Sequence, residues 1–448
     1  MNADELRAMV STNPQKVLGI IRPKVLKILD EINLLVQEKE NETLAVVLSL
    51  LSGTDGAVVG AGGIAKSLLM RNILGKKPGE GRIDGAHAFM LVFQGDTRPA
   101  DLWSSGIGTR KTDHGDGTVD TDYIPRVEGR GADPRVRALY FDEFSMGPDK
   151  TQESARSAMS DREAYVLGQR VDLDHVWSVW ISTNALPKGP LNWRLVCKLE
   201  AQEVIQESNQ LKMMVASELR KKLARLKARG FGQNAADELI LGELAMWEDE
   251  PEMMEYINRF YEIYQNPTRL SMDEFEILRD LVFQVQVPPT IKREQLKIRS
   301  ELATKGVHVD GRRFVRTIPM VMAHAVLVSG ELIAAPKNLA PMQHAWAEPG
   351  EARKFREVVY KHANDIAADA QRLVDQAMAI AQEAIASQDL KNGRFAISKI
   401  KSEIVPQFAE LIDKARDQEM PVEDVKAARS RAHEQIATIN NALMGTDF

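Results

Sequence analysis

A glycine-rich run ends in lysine and serine, residue types that together can hold a phosphate. Its eight positions are Gly60, Ala61, Gly62, Gly63, Ile64, Ala65, Lys66 and Ser67, and Leu68 follows. Glycines let the backbone turn tightly and direct several N–H groups at phosphate oxygens, the lysine can bridge two phosphates, and the hydroxyl can ligate Mg²⁺. Phosphate loops usually carry a glycine where this chain has Ala65. The run therefore predicts nucleotide binding.

An acidic pair, Asp142-Glu143, follows an apolar run that is typical of a buried strand. We expect Asp142 to hold the Mg²⁺ shell and Glu143 to polarise an attacking water. The pair could instead cap the next helix, but its order after the phosphate loop favours catalysis. Asn184, after the next predicted strand, could reach the terminal phosphate or the water. These residues predict ATP/ADP and Mg²⁺ as ligands and ATP hydrolysis as the reaction.

Short apolar runs alternate with helical segments in the first half of the chain, which predicts a doubly wound α/β domain with its ligand at the carboxyl ends of the strands. We predict helices up to about residue 50, a loop-rich insertion at 106–134, a helix at about 150–160 and a hairpin at 164–171. The predicted strands are 57–59, 88–93, 136–141, 176–182 and 194–199.

The sequence predicts helices after residue 200, with an interruption at Pro288-Pro289. Beyond residue 346 large and small residues alternate in a 3-4 repeat, which indicates closely packed helices or a short coiled coil. The repeat consists of Val359, Ala363, Ile366, Ala370, Leu373, Ala377, Ile380 and Ala384. Breaks at Asn392-Gly393 and Met420-Pro421 would divide this region into three helices, which could pack on themselves or form an arm for a partner.

We predict four domains: N-terminal helices at 1–34, the nucleotide-binding domain at 35–205, a helical lid at 206–345 and the C-terminal helical region at 346–448. The length of 448 residues by itself indicates two or three domains, because one core rarely serves so long a chain.

The composition indicates a soluble cytoplasmic protein that does not insert into a membrane. The single cysteine, Cys197, excludes an intramolecular disulfide, and its strand-like neighbours indicate a buried, inert thiol. The eight histidines are widely spaced, so no metal beyond a nucleotide-bound cation is expected. The net charge of -6 weighs against nucleic acid as the main partner.

The phosphate loop, with alanine before its lysine, resembles that of MoxR-type AAA+ ATPases, particularly the RavA branch. The resemblance continues through 140–144, 155–163 and 182–187. It implies an α/β P-loop AAA+ domain, a parallel five-stranded sheet between helices, followed by an all-α lid and the C-terminal helical region.

The resemblance also implies roles for single residues. Asn184 matches the sensor 1 residue, and Arg194 matches the arginine finger that enters a neighbouring subunit's site, although Trp193 stands where the family usually has aspartate. Arg312, or failing it Arg313, matches sensor 2.

A finger of this kind implies a homo-oligomeric ring, typically a hexamer. The ring would remodel or activate a protein target, which in this family often carries a von Willebrand factor A-type domain. The insertion at 106–134 and the hairpin resemble the inserts that grip such targets, although both could be plain surface loops.

Two other functions remain open on the sequence. A nucleotide-gated scaffold would assemble on ATP with little turnover, but it would not need Glu143. A DNA-handling AAA+ motor accessory would need a basic surface to bind DNA. The acidic net charge of the chain makes this function less favoured.

Overall fold

Five strands form one parallel sheet, with the spatial order Cys197–Glu200, Gly56–Val59, Ser178–Thr183, Val136–Asp142 and His87–Val92. The computed structural model describes residues 3–60, 66–77, 80–114, 119–166, 168–187, 189–201, 204, 206–363, 365–417 and 422–444. The strands of this sheet are β1 (Gly56–Val59), β3 (His87–Val92), β6 (Val136–Asp142), β9 (Ser178–Thr183) and β10 (Cys197–Glu200). Strands β1 and β9 are buried along their whole length, as a central parallel strand covered on both faces must be.

The remaining strands form short pairs. They are β2 (Ile83–Asp84) with β11 (Leu270–Ser271), β4 (Gly106–Asp113) with β5 (Val119–Arg126), and β7 (Glu163–Val166) with β8 (Gln169–Asp172). The β7–β8 pair is the hairpin that the sequence predicts. The insertion expected to be loop-rich instead contains the antiparallel β4–β5 hairpin, in which all eight residues of each strand are paired.

The described chain divides into two units. The first comprises residues 1–287, 309–334 and 344–349, and the second comprises 288–308, 335–343 and 350–448. The four-domain division predicted from the sequence stays a prediction.

The first unit contains the sheets and the following helices: α1 (Ala3–Val10), α2 (Pro14–Leu35), α3 (Glu40–Ser52), α4 (Lys66–Ile73), α5 (Pro99–Trp103), α6 (Asp149–Ser160), α7 (Pro190–Arg194), α8 (Glu207–Ala228), α9 (Gln233–Met246), α10 (Pro251–Gln265), α11 (Met272–Phe283), α13 (Gly311–Val315) and α14 (Ile318–His324). Helices α8, α9 and α10 share a small core of their own, against which Leu34 and Leu35 of α2 pack. A buried ion pair between Glu31 of α2 and Arg82, the residue before β2, has a length of 2.6 Å.

A buried ion pair also fixes the amino-terminal ends of the central strands. The guanidinium of Arg162 donates to both carboxylate oxygens of Asp55, at 2.9 and 3.2 Å. Asp55 also accepts a hydrogen bond from the backbone of Val179 in β9 at 2.7 Å, and its carbonyl accepts from Val196 and Cys197. One buried residue thus sets the relative positions of β1, β9 and β10.

The second unit is helical. Its helices are α12 (Pro289–Thr304), α15 (Ala352–Ala363), α16 (Asp365–Ser387), α17 (Leu390–Lys399), α18 (Val405–Asp417) and α19 (Glu423–Met444). The predicted large and small residues are buried, except for the partly buried Ile380, and the seam of α16 packs against α17, α18 and α19. Within the described residues these helices therefore pack on one another.

The helix break expected at Asn392-Gly393 is wrong. Helix α16 ends at Ser387, and Asp389 caps α17 by accepting a hydrogen bond from the backbone of Lys391 at 2.8 Å. Gly393 lies inside α17, where a Cβ would stand 2.7 Å from Cδ1 of Leu443. The glycine therefore permits close approach of α17 and α19 and does not end a helix. The other expected break, at Met420-Pro421, lies outside the described residues.

Substituting Arg162 tests the Asp55 pair. In Arg162→Met the Asp55 carboxylate remains buried without its cation, so we expect a loss of about 3 kcal/mol in the free energy of unfolding. Denaturant titration followed by tryptophan fluorescence measures this loss. Arg110→Met, at an exposed position in β4, is the control and should change stability little. A loss below about 1 kcal/mol for Arg162→Met would contradict the role of the pair.

His362 in the second unit joins α15 to two carboxylates of α12. Its Nδ1 lies 2.6 Å from Glu294 and its Nε2 lies 2.9 Å from Glu301. Carboxylates only accept hydrogen bonds, so both bonds form only when the imidazole is protonated. Lys297 and His362 lower the pKa of Glu294, so its contribution is present above the ordinary carboxyl pKa and is lost as pH falls through the lowered value.

We therefore expect the melting temperature of this unit to fall as the pH drops below the ordinary carboxyl pKa of 4.5, because the lowered pKa of Glu294 belongs to the folded state. Calorimetry of the full chain measures the effect. His362→Asn should make this fall smaller, because Lys297 alone would then lower the pKa of Glu294, whereas His433→Asn, at an exposed position on α19, should leave the fall unchanged. An unchanged pH dependence in His362→Asn would show that the two contacts contribute nothing.

Candidate functional site

The strand register brings the predicted chemistry-bearing residues to one edge of the sheet. Val59 at the end of β1 pairs with Thr183 of β9 and with Glu200 of β10, and Asp142 at the end of β6 pairs with Val92 of β3. Strand β9 lies between β1 and β6. Neighbouring strands are about 4.8 Å apart, so the ends of β1 and β6 are separated by about 10 Å. A triphosphate can span this distance.

Gly60 follows β1 in a conformation that requires glycine. Its φ is +152°, and its N–H donates to the carbonyl of Thr183 at 3.1 Å. A Cβ at Gly60 would lie 2.9 Å from Cβ of Ala201. The chain therefore leaves β1 in a direction that a side chain would obstruct.

Helix α4 begins at Lys66, so the predicted strand, glycine-rich run and helix occur in the expected order. Residues Ala61, Gly62, Gly63, Ile64 and Ala65 lie outside the described residues, as do the side chains of Lys66 and Ser67. Leu68 is half-buried in α4. The phosphate contacts assigned to this run stay predictions.

Asp142 and Glu143 are held together at the end of β6 by Ser182. The hydroxyl of Ser182 donates to Asp142 Oδ1, and the backbone N–H of Glu143 donates to Asp142 Oδ1 and to Ser182 Oγ, each at 3.2 Å. Both carboxyl groups are half-buried, and Ser182 is fully buried. The sequence did not indicate a role for Ser182, although a serine in a strand expected to be buried is a sign that its hydroxyl has a polar partner.

The backbone of Glu143 is in the left-handed region, with φ at +52°. This conformation is uncommon for a residue with a long side chain and costs of order 1 kcal/mol, and such strain clusters at functional sites. The strained turn directs the chain out of β6 into a short 3-10 segment, Phe144–Met146. It leaves the Glu143 side chain partly exposed at the edge of the sheet.

Asn184 is exposed directly beyond β9. The side chain of the preceding Thr183 donates to the carbonyl of Ala185 at 2.6 Å and accepts from its N–H at 3.3 Å, which turns the chain at this point. Since β9 is the neighbour of both β1 and β6, Asn184 follows the strand between the glycine-rich run and the acidic pair.

Arg194 does not begin the fifth strand, as the sequence suggested, but ends the short helix α7. Pro190 starts that helix, and β10 begins only at Cys197. Proline favours a first helical position, which is why the expected strand start is wrong. Nη1 of Arg194 donates to the carbonyl of Pro190 at 2.9 Å. Burial lowers the pKa of Arg194, and the charges of Arg156 and Arg316 lower it further.

The two candidate sensor 2 arginines have different environments. Asp310 caps α13 by accepting from the backbone of Arg312 at 3.3 Å, and the Arg312 side chain is exposed. Arg313 is buried, and its Nη2 lies 3.4 Å from the carbonyl of Asn192 in α7. Neither contact involves a residue of the carboxyl edge, so their assignment as sensor 2 stays a prediction.

One candidate metal ligand, Asp142, lies at the same edge. Among the described residues, no group of three His, Cys, Asp or Glu side chains could hold a metal ion by itself. The half-buried Asp142 carboxylate offers the oxygen ligand that Mg²⁺ prefers when phosphates complete its coordination. Cys197 is buried, and burial raises the pKa of its thiol to about 12, so it is unreactive.

Across the ranges that the structure describes, no helix combines the length and the hydrophobicity needed to cross a bilayer.

The chain is similar to a solved structure although its sequence matches no known family. No family model matches it, and no curated protein matches it. It is similar to the crystal structure of a candidate ATPase from Cytophaga hutchinsonii ATCC 33406, with a TM-score of 0.51 and 13% identity over 80% of this chain and 99% of that one. Together with the parallel sheet flanked by helices, this likeness confirms the predicted fold class, an α/β domain with a parallel five-stranded sheet between helices, followed by helical regions.

The glycine requirement at position 60 can be tested without any ligand. Gly60→Ala must adopt a positive φ and displace Ala201, so we expect a loss of about 2 kcal/mol in the free energy of unfolding. Gly19→Ala is the matched control, because Gly19 is exposed in α2 and a Cβ added there would meet no atom within 4 Å. Alanine there should stabilise the protein by about 0.5 kcal/mol. Equal effects of the two substitutions in denaturant titrations would refute the requirement.

Proposed function

We propose that this protein is a MoxR-type AAA+ ATPase that binds and hydrolyses ATP in a homo-oligomeric ring and thereby remodels or activates a partner protein. The observation that carries the proposal is the shared edge of the sheet. There Gly60 and the start of α4 lie two strands from the Asp142-Glu143 pair. The similarity to a candidate ATPase supports the same reaction class.

Each residue has a role that follows from its chemistry. The backbone of residues 60–65 and the Lys66 ammonium would hold the β- and γ-phosphates at the start of α4. Bound Mg²⁺ would neutralise charge on the same phosphates, with Ser67 and Asp142 as its protein ligands. Ser182 orients Asp142 for this role through its hydroxyl hydrogen bond.

Glu143 would orient the attacking water and accept its proton. Its backbone N–H is hydrogen-bonded to both Asp142 and Ser182. These bonds fix the backbone of Glu143 next to Asp142, the candidate metal ligand. Asn184 would hydrogen-bond the water or the terminal phosphate from the end of β9. Phosphoryl transfer needs mainly such positioning and additional positive charge, which Arg194 of a neighbouring subunit would supply.

The two hairpins of the first unit are suited to contact a protein target. Ile107, Val119 and Tyr123 lie on one face of the β4–β5 hairpin, and each is at least half exposed. Gln169 of β8 donates to the carbonyl of Tyr123 at 2.8 Å, which joins the hairpins. Exposed apolar side chains on one face are typical of protein interaction surfaces. A target with a von Willebrand factor A-type domain is the partner class that the family resemblance suggests.

Steady-state ATP hydrolysis tests the proposal. Lys66→Ala should abolish nucleotide binding and turnover, whereas Glu143→Gln should retain binding and lose at least about 100-fold in kcat. Asp149→Asn, at an exposed position after the acidic pair, is the control and should hydrolyse ATP as wild type does.

Two results would overturn parts of the proposal. Full turnover in both Lys66→Ala and Glu143→Gln would remove the catalytic assignment. Nucleotide-dependent assembly with negligible turnover in the wild type would favour the nucleotide-gated scaffold instead. In either case, sedimentation with ATP and with ADP reports the assembly state.

A further inference from the structure

Three arginines from separate elements converge on helix α7. Arg194 is its last residue, Arg156 lies in α6, and Arg316 directly follows α13. Both α6 and α13 pack against α7. The charges of Arg156 and Arg316 act on the Arg194 guanidinium strongly enough to lower its pKa, although burial is the larger cause. The cluster is thus one electrostatic unit.

The acidic residues near the cluster do not neutralise it. Glu153 and Asp161, at the two ends of α6, raise the pKa of Arg194 less than burial and the two arginines lower it. Glu153 already pairs with Arg156 on its own helix. Arg316 also acts on the carboxylate of Asp55, but Asp55 already pairs with Arg162, so among these described residues four guanidinium groups face three carboxylates.

Arg194 also retains hydrogen-bonding capacity. Its Nη1 is bonded to the carbonyl of Pro190, but its buried Nε has no hydrogen-bond partner among the described residues. A buried donor without an acceptor costs about 1–3 kcal/mol. An oxyanion would supply the acceptor and would also relieve the repulsion among the three cations. Phosphate matches the planar, multiply donating guanidinium particularly well.

The cluster cannot serve the phosphate site of its own subunit. Arg316 acts electrostatically on Asp55, which precedes β1, and Asp161 is adjacent to Arg162, the partner of Asp55. These contacts lie at the amino-terminal edge of the sheet. Gly60 lies at the opposite edge, about 16 Å away along five residues of extended chain. The anion must therefore come from outside the subunit.

We propose that Arg156, Arg194 and Arg316 form one composite anion site that receives the terminal phosphate of the ATP bound by the adjacent copy of this chain. The inference rests on the proposed function and extends it, because it adds Arg156 and Arg316 to the single finger that the sequence suggests. Each added guanidinium would stabilise the negative charge of the transferring phosphoryl group.

The test compares turnover, assembly and subunit mixing for Arg156→Gln and Arg316→Gln. We expect each variant to lose at least about tenfold in kcat, and Arg194→Ala about 1,000-fold. Binding of a fluorescent ATP analogue and ATP-dependent sedimentation should remain as in wild type. Arg229→Gln, an exposed arginine after α8, is the matched control and should keep full activity.

Mixing two impaired variants then shows whether the arginines act on the site of a neighbouring subunit or on the site of their own subunit. Arg156→Gln has an intact Glu143, and Glu143→Gln has an intact Arg156, so an interface between the two variants can contain one complete site. We expect the mixture to exceed the summed activity of the separate variants. Arg156→Lys should restore part of the turnover, because it retains charge but not the planar fork.

The possible failures are distinguishable. A wild type that does not hydrolyse ATP would overturn the proposed function, and the composite site with it. If the wild type hydrolyses ATP and Arg156→Gln and Arg316→Gln are both fully active, the composite site is contradicted but the proposed function is not. Loss of ATP-dependent assembly in these variants would show that the arginines bind a neighbour's carboxylate rather than its nucleotide. Lost turnover without recovery on mixing would place their action within one subunit.

Discussion

The buried pair between Asp55 and Arg162 is the interaction on which the arrangement of the first unit depends. Through its side chain and backbone, Asp55 contacts β9 and the start of β10 while it leads into β1. Because parallel strands have a regular rise, fixing their amino-terminal ends also fixes where their carboxyl ends fall. The candidate phosphate site, about five residues further along, is therefore positioned by a pair that never touches it.

The opposite edge of the sheet uses hydrogen bonds rather than an ion pair. Ser182 joins the acidic pair of β6 to the neighbouring strand β9, and the backbone of Glu143 closes the same small network. A fully buried hydroxyl must find a partner, so the network holds the metal ligand and the candidate base in a fixed relation. The hydrogen bonds of this network hold the Glu143 backbone in its strained left-handed conformation.

Four of the five strands of the central sheet were predictable because they are short, mainly apolar runs, and buried parallel strands require little more. The β4–β5 hairpin was not predictable, because it has polar residues on both faces and therefore lacks the alternation of polar and apolar residues that indicates a strand. Arg194 was misplaced because Leu195 to Leu199 resembles a strand, whereas Pro190 starts a helix. Gly393 resembled a helix end, but its neighbour Leu443 lies 50 residues away in the sequence.

The sequence by itself determined the fold class and the residues that could do chemistry, because apolar periodicity and local motifs are properties of neighbouring positions. It supplied Gly60, Lys66 and the Asp142-Glu143 pair in the order that a phosphate site needs. Only the tertiary structure decided that Ser182 holds Asp142, and that Arg156, Arg194 and Arg316 converge on α7. Those contacts join residues tens to more than a hundred positions apart, and packing between elements, rather than local preference, brings them together.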